Sequence, residues 1–348
     1  MIKTTEEIEQ QSRLMSFLRE MPKAELHIHI EGSLEPELIF ALAERNGMRL
    51  VYPDVQTLKA GYAFKDLQSF LDIYYAGASV LRTAQDFEDM AWAYFLRAKA
   101  DGVVRTELFF DPQTHTSRGV PLKACFAGLR EACRRARTKL GISADLILCF
   151  LRHLSEEDAM STLDDALAFR NDFIGIGLDS SEKGNPPEKF ARVYARCREL
   201  GLRLVAHAGE EGPADYIESA LDVLKVERID HGVQSIHSPA LMLRLSQTKI
   251  PLTVCPLSNV KLCVFRDLAD HPLAQMLDAG LCVTINSDDP AYFGGYLLDN
   301  YVQTFRALNL GMEHAYQLAR NSLLASFASD SDKQHWITAL NHAYQDKK

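Results

Sequence analysis

Short, nearly continuous apolar stretches alternate along the chain with longer segments in which apolar residues recur at helical spacing. The short stretches read as buried parallel strands, which carry no polar face. They run from Ala24 to Ile30, Val104 to Phe110, Ala144 to Phe150, Phe173 to Asp179, Leu202 to Ala208, Arg228 to Gly232, Pro251 to Pro256 and Leu281 to Asp288. Among the longer segments, Phe87, Met90, Ala91, Tyr94, Phe95 and Ala98 mark one helix face, opened by Thr83 to Asp86 and stopped at Gly102. About eight strands with helical connections is the count for an α/β fold of the (β/α)8 TIM-barrel type. A helical insertion of about 36–102 after the first strand is long for a barrel loop, and ordered insertions at a barrel mouth often serve as lids. Its dense aromatics, Tyr62 through Tyr75, read mainly as core packing. A helical tail of about 312–348 follows the last strand. With no linker, repeat or low-complexity tract, the expectation is one domain over residues 1–348.

Composition narrows the class without naming a function. Of 348 residues, 47% are hydrophobic and 24% charged, enough apolar material for a full core. A net charge of −9 argues against nucleic-acid backbones and anionic membranes as partners. No apolar run reaches transmembrane length, and the polar, acidic start lacks the basic and apolar regions of a signal peptide, so a cytoplasmic protein is expected. The seven cysteines never occur as C-x-x-C and read as reduced thiols. Oligomeric state is left open, a homo-oligomer included.

Chemistry enters with the position of the ionisable residues. His27, His29, Asp111, His115, Asp179, His207, Glu210, His231, Asp288 and Asp289 all fall at the C-terminal ends of the expected strands. In a barrel those ends share one rim, where catalytic groups meet. His27 and His29, two apart on one strand, project from the same face. Together with His207 and Asp288 they form a nitrogen-rich set suited to zinc, and compatible with iron, cobalt or manganese. Glu210, three residues beyond His207, can face the same spot as a proton carrier for an activated water. His231 reads either as a further ligand or, preferably, as a group that orients the water. Each piece also has a structural reading: His207 as a core histidine, Asp288 and Asp289 as a helix N-cap and first-turn acid. The set as a whole favours the metal.

Four segments in this order resemble the adenosine/adenine deaminases of the amidohydrolase superfamily: His27-Ile-His29, His207-Ala-Gly-Glu210, Asp230-His231-Gly232 and Ser287-Asp288-Asp289-Pro290. The likeness runs from about Pro22 to Ala325. It implies a barrel with one catalytic Zn2+ per chain held by His27, His29, His207 and Asp288. It further implies Glu210 as the proton shuttle to purine N1, His231 beside the attacking water, and Asp289 at N7 of the base. N7 of the usual adenine tautomer accepts hydrogen bonds, so Asp289 is expected either to bind as the protonated acid or to select the tautomer with hydrogen on N7.

Within that family the chain looks closer to the adenine-specific members, through Phe109-Phe-Asp-Pro-Gln-Thr-His115, Cys149-Phe-Leu-Arg-His-Leu-Ser-Glu156, the segment Gly177 to Phe190, and Cys255-Pro-Leu-Ser-Asn259. Glu31 stands where adenosine deaminases carry an aspartate assigned to the ribose, and Ser180 where they carry a glycine near purine N3. Both are expected at the substrate, where they would take up space a sugar needs, an effect of about 1–3 kcal/mol per contact. The expected reaction is hydrolysis of adenine to hypoxanthine and ammonia, in purine salvage. Alternatives on the same site are deamination of adenosine or of N6-substituted adenines, and a purine-binding protein that has lost catalysis. A cytidine-type deaminase is excluded, because His29-Ile-Glu31 is followed by no P-C-x-x-C. Arg105-Thr-Glu107-Leu-Phe-Phe110 departs slightly from the Glu-Pro-Phe-Phe expected of adenine deaminases, with Leu108 in place of the proline.

Overall fold

The computed structural model describes residues 5–347; residues 1–4 of the polar lead and residue 348 of the expected tail lie outside the described residues. Eight strands form one ring: β1 (Lys23–His29), β2 (Val103–Phe110), β3 (Ser143–Leu151), β4 (Gly175–Asp179), β5 (Arg203–Ala208), β6 (Arg228–His231), β7 (Leu252–Val254) and β8 (Val283–Ile285). Every ladder is parallel and spatial order follows chain order, the topology of a (β/α)8 barrel.

The ring closes without a full ladder. β7 and β8 are shorter than the expected 251–256 and 281–288. Pro256 opens the helix Pro256–Lys261, so the chain leaves the sheet one residue earlier. Past β8, the Asn286 side chain accepts from the Leu26 N–H at 2.9 Å. Asp288 then exchanges backbone bonds with β1, donating to His27 O at 3.1 Å and accepting from the His29 N–H at 3.0 Å. The seam between first and last strands is therefore made by a residue whose side chain faces the barrel mouth.

The two-residue period of the strands sorts the lumen into layers. On β2, Arg105, Glu107 and Phe109 follow one another up the same face, with Asp111 just past the strand end. At the bottom, Glu107 sits between Arg105 at 2.8 Å and Arg228 at 2.6 Å, all buried. Burial would raise the Glu107 carboxyl, but the two guanidinium groups hold it below its usual range. Above this charged floor lies an apolar layer of Phe109, Ile147, Cys149 and Val205. The imidazoles of His27, His29 and His207 rest on Phe109, with ring centroids 5.0, 5.1 and 5.6 Å away. On β1, Leu26 and Ile28 point the other way, into the main core beneath the helices, which Ile30 just past the strand also joins.

The insertion between β1 and β2 carries the helices Pro36–Arg45, Val55–Ala60, Leu67–Ala78 and Ala84–Ala100. The last begins at Thr83 with a reciprocal bond to Asp86 and buries Phe87, Met90, Ala91, Tyr94, Phe95 and Ala98, the face read from the sequence. Helices Met312–Ala325 and Asp330–Lys347 end the described chain. Among the described residues no helix is long and apolar enough to cross a membrane.

Candidate metal centre and active site

At the top of the barrel the side chains of His27, His29, His207 and Asp288 converge, with one ligand atom from each lying within 4.8 Å of all the others. The Nε2 atoms of His29 and His207 are 3.1 Å apart, and Asp288 Oδ1 is 3.2 Å from His27 Nε2 and 3.4 Å from His29 Nε2. The outer nitrogens all face acceptors. His27 Nδ1 lies 3.2 Å from Thr253 O and 3.0 Å from Thr253 Oγ1, His29 Nδ1 lies 3.4 Å from Asp179, and His207 Nδ1 lies 3.6 Å from Asp230. That arrangement keeps a proton on each Nδ1 and turns three Nε2 lone pairs inward, beside a carboxylate. Four donor atoms aimed at one point, with His27 Nε2 lacking any hydrogen-bond partner, suit a divalent cation.

The electrostatics agree. Burial pulls the proton affinity of His29 down to about 3 and that of His207 well below its usual value, which favours neutral imidazoles at both. Burial alone would raise Asp288, but the imidazoles of His27, His231 and His29 hold its carboxyl well below the usual range.

The other groups stand around this centre. His231 Nε2 lies 3.5 Å from Glu210 Oε1 and 3.6 Å from Asp288 Oδ2. Its Nδ1 faces the Asn259 side-chain amide at 3.3 Å, and Asn259 Oδ1 in turn faces His271 Nε2 at 3.2 Å. With Asn259 donating, His231 carries its proton on Nε2, toward Glu210. Glu210 is buried, its Oε1 without a partner; burial, with the charges of Asp288, Glu182 and Glu211, raises its carboxyl well above the usual range. Asp289 is likewise pushed well up by burial and by Asp288 beside it. Gly32 makes room for it: a Cβ there would sit 1.9 Å from Asp289 Oδ1. Three non-glycine residues at strand ends adopt left-handed backbone, Ser180 (φ 73°), His231 (φ 65°) and Asp288 (φ 63°). Such strain tends to collect where side chains must be aimed against the local rhythm.

One cavity is lined by His29, His207, Glu210, His231, Asp288, Asp289 and Ser180, with His27 buried beneath. Ser180 Oγ is held by Tyr75 OH at 3.0 Å and His153 Nδ1 at 2.8 Å. Glu31 departs from the sequence expectation. After His29 the chain coils into a short 3-10 turn, Glu31–Ser33, so strand alternation ends. The carboxylate swings onto His115 Nε2 at 2.7 Å and accepts the Asp111 N–H at 3.3 Å, behind the cavity wall rather than on it. The wall there belongs to Asp111 and Asp179, pushed up to about 7 and well above the usual range respectively, by burial and by neighbouring carboxylates. Leu67, Phe70, Leu71, Tyr74 and Tyr75 of the helix Leu67–Ala78 complete it. These aromatics, read as core from sequence, therefore also face the site.

Comparison with known proteins agrees with this geometry. A family model described as adenosine deaminase matches residues 22–343. The chain belongs to the adenosine deaminase family. Among its relatives in that family, an adenine deaminase of Trichlorobacter lovleyi is 66% identical over 333 residues, covering 95% of each chain. One from Geotalea uraniireducens is 66% identical over 332 residues, covering 95% of this chain and 94% of the other. The crystal structure of adenine deaminase from Arthrobacter aurescens superposes with a TM-score of 0.92 at 53% identity, covering 93% of this chain and 99% of the other. An amidohydrolase from Burkholderia ambifaria with bound zinc superposes at 0.90, with 28% identity, 99% of this chain covered and 95% of the other.

The supporting groups of this family member carry a prediction of their own. Asp230 faces His207 Nδ1 and also accepts from Thr253 Oγ1 at 2.9 Å, and Thr253 in turn holds His27. Asp230→Asn is expected to weaken metal retention about 10- to 100-fold, read by competition against a chromophoric chelator. Retention equal to that of the parent protein would remove Asp230 from the metal's support.

Proposed function

We propose that this chain is a metal-dependent purine aminohydrolase that converts adenine and water to hypoxanthine and ammonia. The observation that carries the reading is the convergence of three imidazole lone pairs and Asp288 in a cavity also lined by Glu210, His231 and Asp289, in a chain 66% identical to adenine deaminases. His27, His29, His207 and Asp288 would hold one zinc ion, whose donor preference this set matches. When bound, such an ion supplies Lewis acidity that brings the pKa of water close to neutrality.

The rest is work for side chains. Glu210, protonated at rest, gives its proton to purine N1 as the C6–O bond forms, which keeps negative charge off the ring. The carboxylate so formed takes one proton from the attacking water. It delivers that proton to the exocyclic amine, then accepts the hydroxyl proton as the C6–N bond breaks and ammonia leaves. His231 donates from Nε2 to the water oxygen and orients it. Asp289, holding its proton, donates to N7.

Ser180, tied to Tyr75 and His153, walls the side on which the family resemblance places N3, and this favours the free base over its nucleoside. The chain acts as a single domain, in which the helical stretch 36–102 covers the mouth as a lid and the helices Met312–Ala325 and Asp330–Lys347 close the structure. Its place is purine salvage in the cytoplasm.

The deciding experiment incubates zinc-loaded protein separately with adenine, adenosine and N6-alkyladenines and identifies each product. Hypoxanthine from adenine is expected at a kcat/KM at least ~100-fold above the others, as a pocket that pairs its polar groups with one substrate permits. A higher kcat/KM for adenosine or an N6-alkyladenine would overturn the substrate assignment.

A further inference from the structure

Glu182 lies outside the metal centre, yet its surroundings are unusual for a buried acid. It is 1% exposed and four consecutive backbone amides point at it. Oε1 accepts the Gly209 N–H at 2.7 Å; Oε2 accepts those of Glu210 at 3.1 Å, Glu211 at 2.8 Å and Gly212 at 2.7 Å. These are the amides of the turn that follows β5, ahead of the helix Ala214–Ser219. No ladder or helix partner is available to them, and buried amides left unpaired are costly. A carboxylate offers only acceptors, so it satisfies all four at once.

The carbonyls from the end of β5 into the turn are tied down separately. Arg152 Nη1 donates to His207 O at 2.7 Å, the Gln234 N–H to Gly209 O at 3.0 Å, and Gln234 Nε2 to Glu210 O at 3.0 Å. The backbone of Glu210 is thus clamped at both its N–H and its C=O. Its side chain, by contrast, has Oε1 without any hydrogen-bond partner. The aim of that carboxyl comes from the backbone that bears it. Gly212 belongs to the same device, because a Cβ there would sit 2.7 Å from Glu182 Cδ and Oε1.

We infer that Glu182 is a positioning residue for the proton shuttle: its carboxylate fixes the turn 209–212, and through that turn the reach of Glu210 to the base. The inference rests on the role proposed for Glu210. Misplacing a reacting group by about 1 Å can cost on the order of 100-fold in rate.

The test is a double-mutant cycle read by kcat, KM and metal content. Glu182→Gln keeps the shape but turns an N–H group toward the backbone amides. It is expected to lower kcat for adenine about 10- to 100-fold, with KM changed less than about threefold and the metal retained. In a Glu210→Gln background the same change should cost less than about twofold more, since the group it positions is already disabled. An equal fall in both backgrounds would make Glu182 a general support of the fold and overturn the inference; so would an unchanged kcat in Glu182→Gln alone. Should Glu210→Gln by itself leave the rate intact, the premise about Glu210 fails and takes the inference with it. If Glu182→Gln does not yield folded protein, Gly212→Ala crowds the same carboxylate from the backbone side. It should give the same background-dependent loss, and a parental kcat there overturns the proposal.

Discussion

Glu210→Gln is expected to lower kcat for adenine by about 1,000-fold while the protein keeps its metal, because removal of a general acid–base group costs about 10²- to 10⁴-fold. The amide is nearly isosteric and still occupies the cavity wall, but it has no proton to pass. Two steps suffer together: delivery to N1 as C6 is attacked, and delivery to the amine as it departs. KM should change little, since the lost interaction belongs to the transition state. Burial and the charge of Asp288, Glu182 and Glu211 all favour the protonated form of this carboxyl, the form the first step needs. Steady-state kinetics with metal analysis on the same sample decide the matter. A variant that loses activity only in proportion to lost metal would assign Glu210 to the metal's support instead.

Stripping the divalent ion is expected to have the other large effect, with turnover falling below about 1% of the holoenzyme and returning on addition of zinc. Reloading with manganese, cobalt or iron in separate arms ranks the metals that this donor set accepts. Thermal stability should fall as well, because a ligand that binds only the folded state stabilises it by about 4 kcal/mol at a thousandfold excess over Kd. The sign of the pH effect follows from the ligands. His29 and His207 are already neutral at any mild pH, so protons do not compete there. His27 differs: burial opposes its protonation, but Asp288, Asp230 and the hydrogen bond to Thr253 together outweigh that and raise it above the ordinary 6.5. Metal retention should therefore weaken as pH falls through neutrality, with His27 the first ligand to be protonated. Retention that is flat from pH 8 to pH 5, measured at fixed chelator, would place the ion on other donors.

What could be read ahead of the structure was what local rules encode. His27 and His29 share a face because strands have a period of two, and the helix Ala84–Ala100 announces itself through its capping residues and its stripe. Glu31 went astray for the same reason in reverse. The expectation placed it at the substrate, and the 3-10 turn after His29 carried it to His115. Tyr74 and Tyr75 were hidden because a helix face that lines a cavity has the spacing of one that packs a core. Asp230 had a signal, since it precedes His231 in the same motif, although its contacts with His207 and Thr253 needed coordinates. Asn259 stood in the segment Cys255–Asn259 without a role, and Thr253 and His271 left no signal, because outer partners of imidazoles are selected by position in space. Glu182 is the extreme case: its four partners are backbone amides, and no residue type records them.

The seam between β1 and β8 has a consequence for how the protein is made. His27 and Asp288 meet across it, 261 positions apart in the polypeptide, and Asp288 forms the backbone joint and also carries one of the carboxylate oxygens proposed to hold the ion. A nascent chain emerging from the ribosome therefore exposes three imidazoles long before the fourth donor has been synthesised. The last joint of the cylinder and the carboxylate proposed for the ion therefore arrive together, so a chain cut short before Asp288 lacks both.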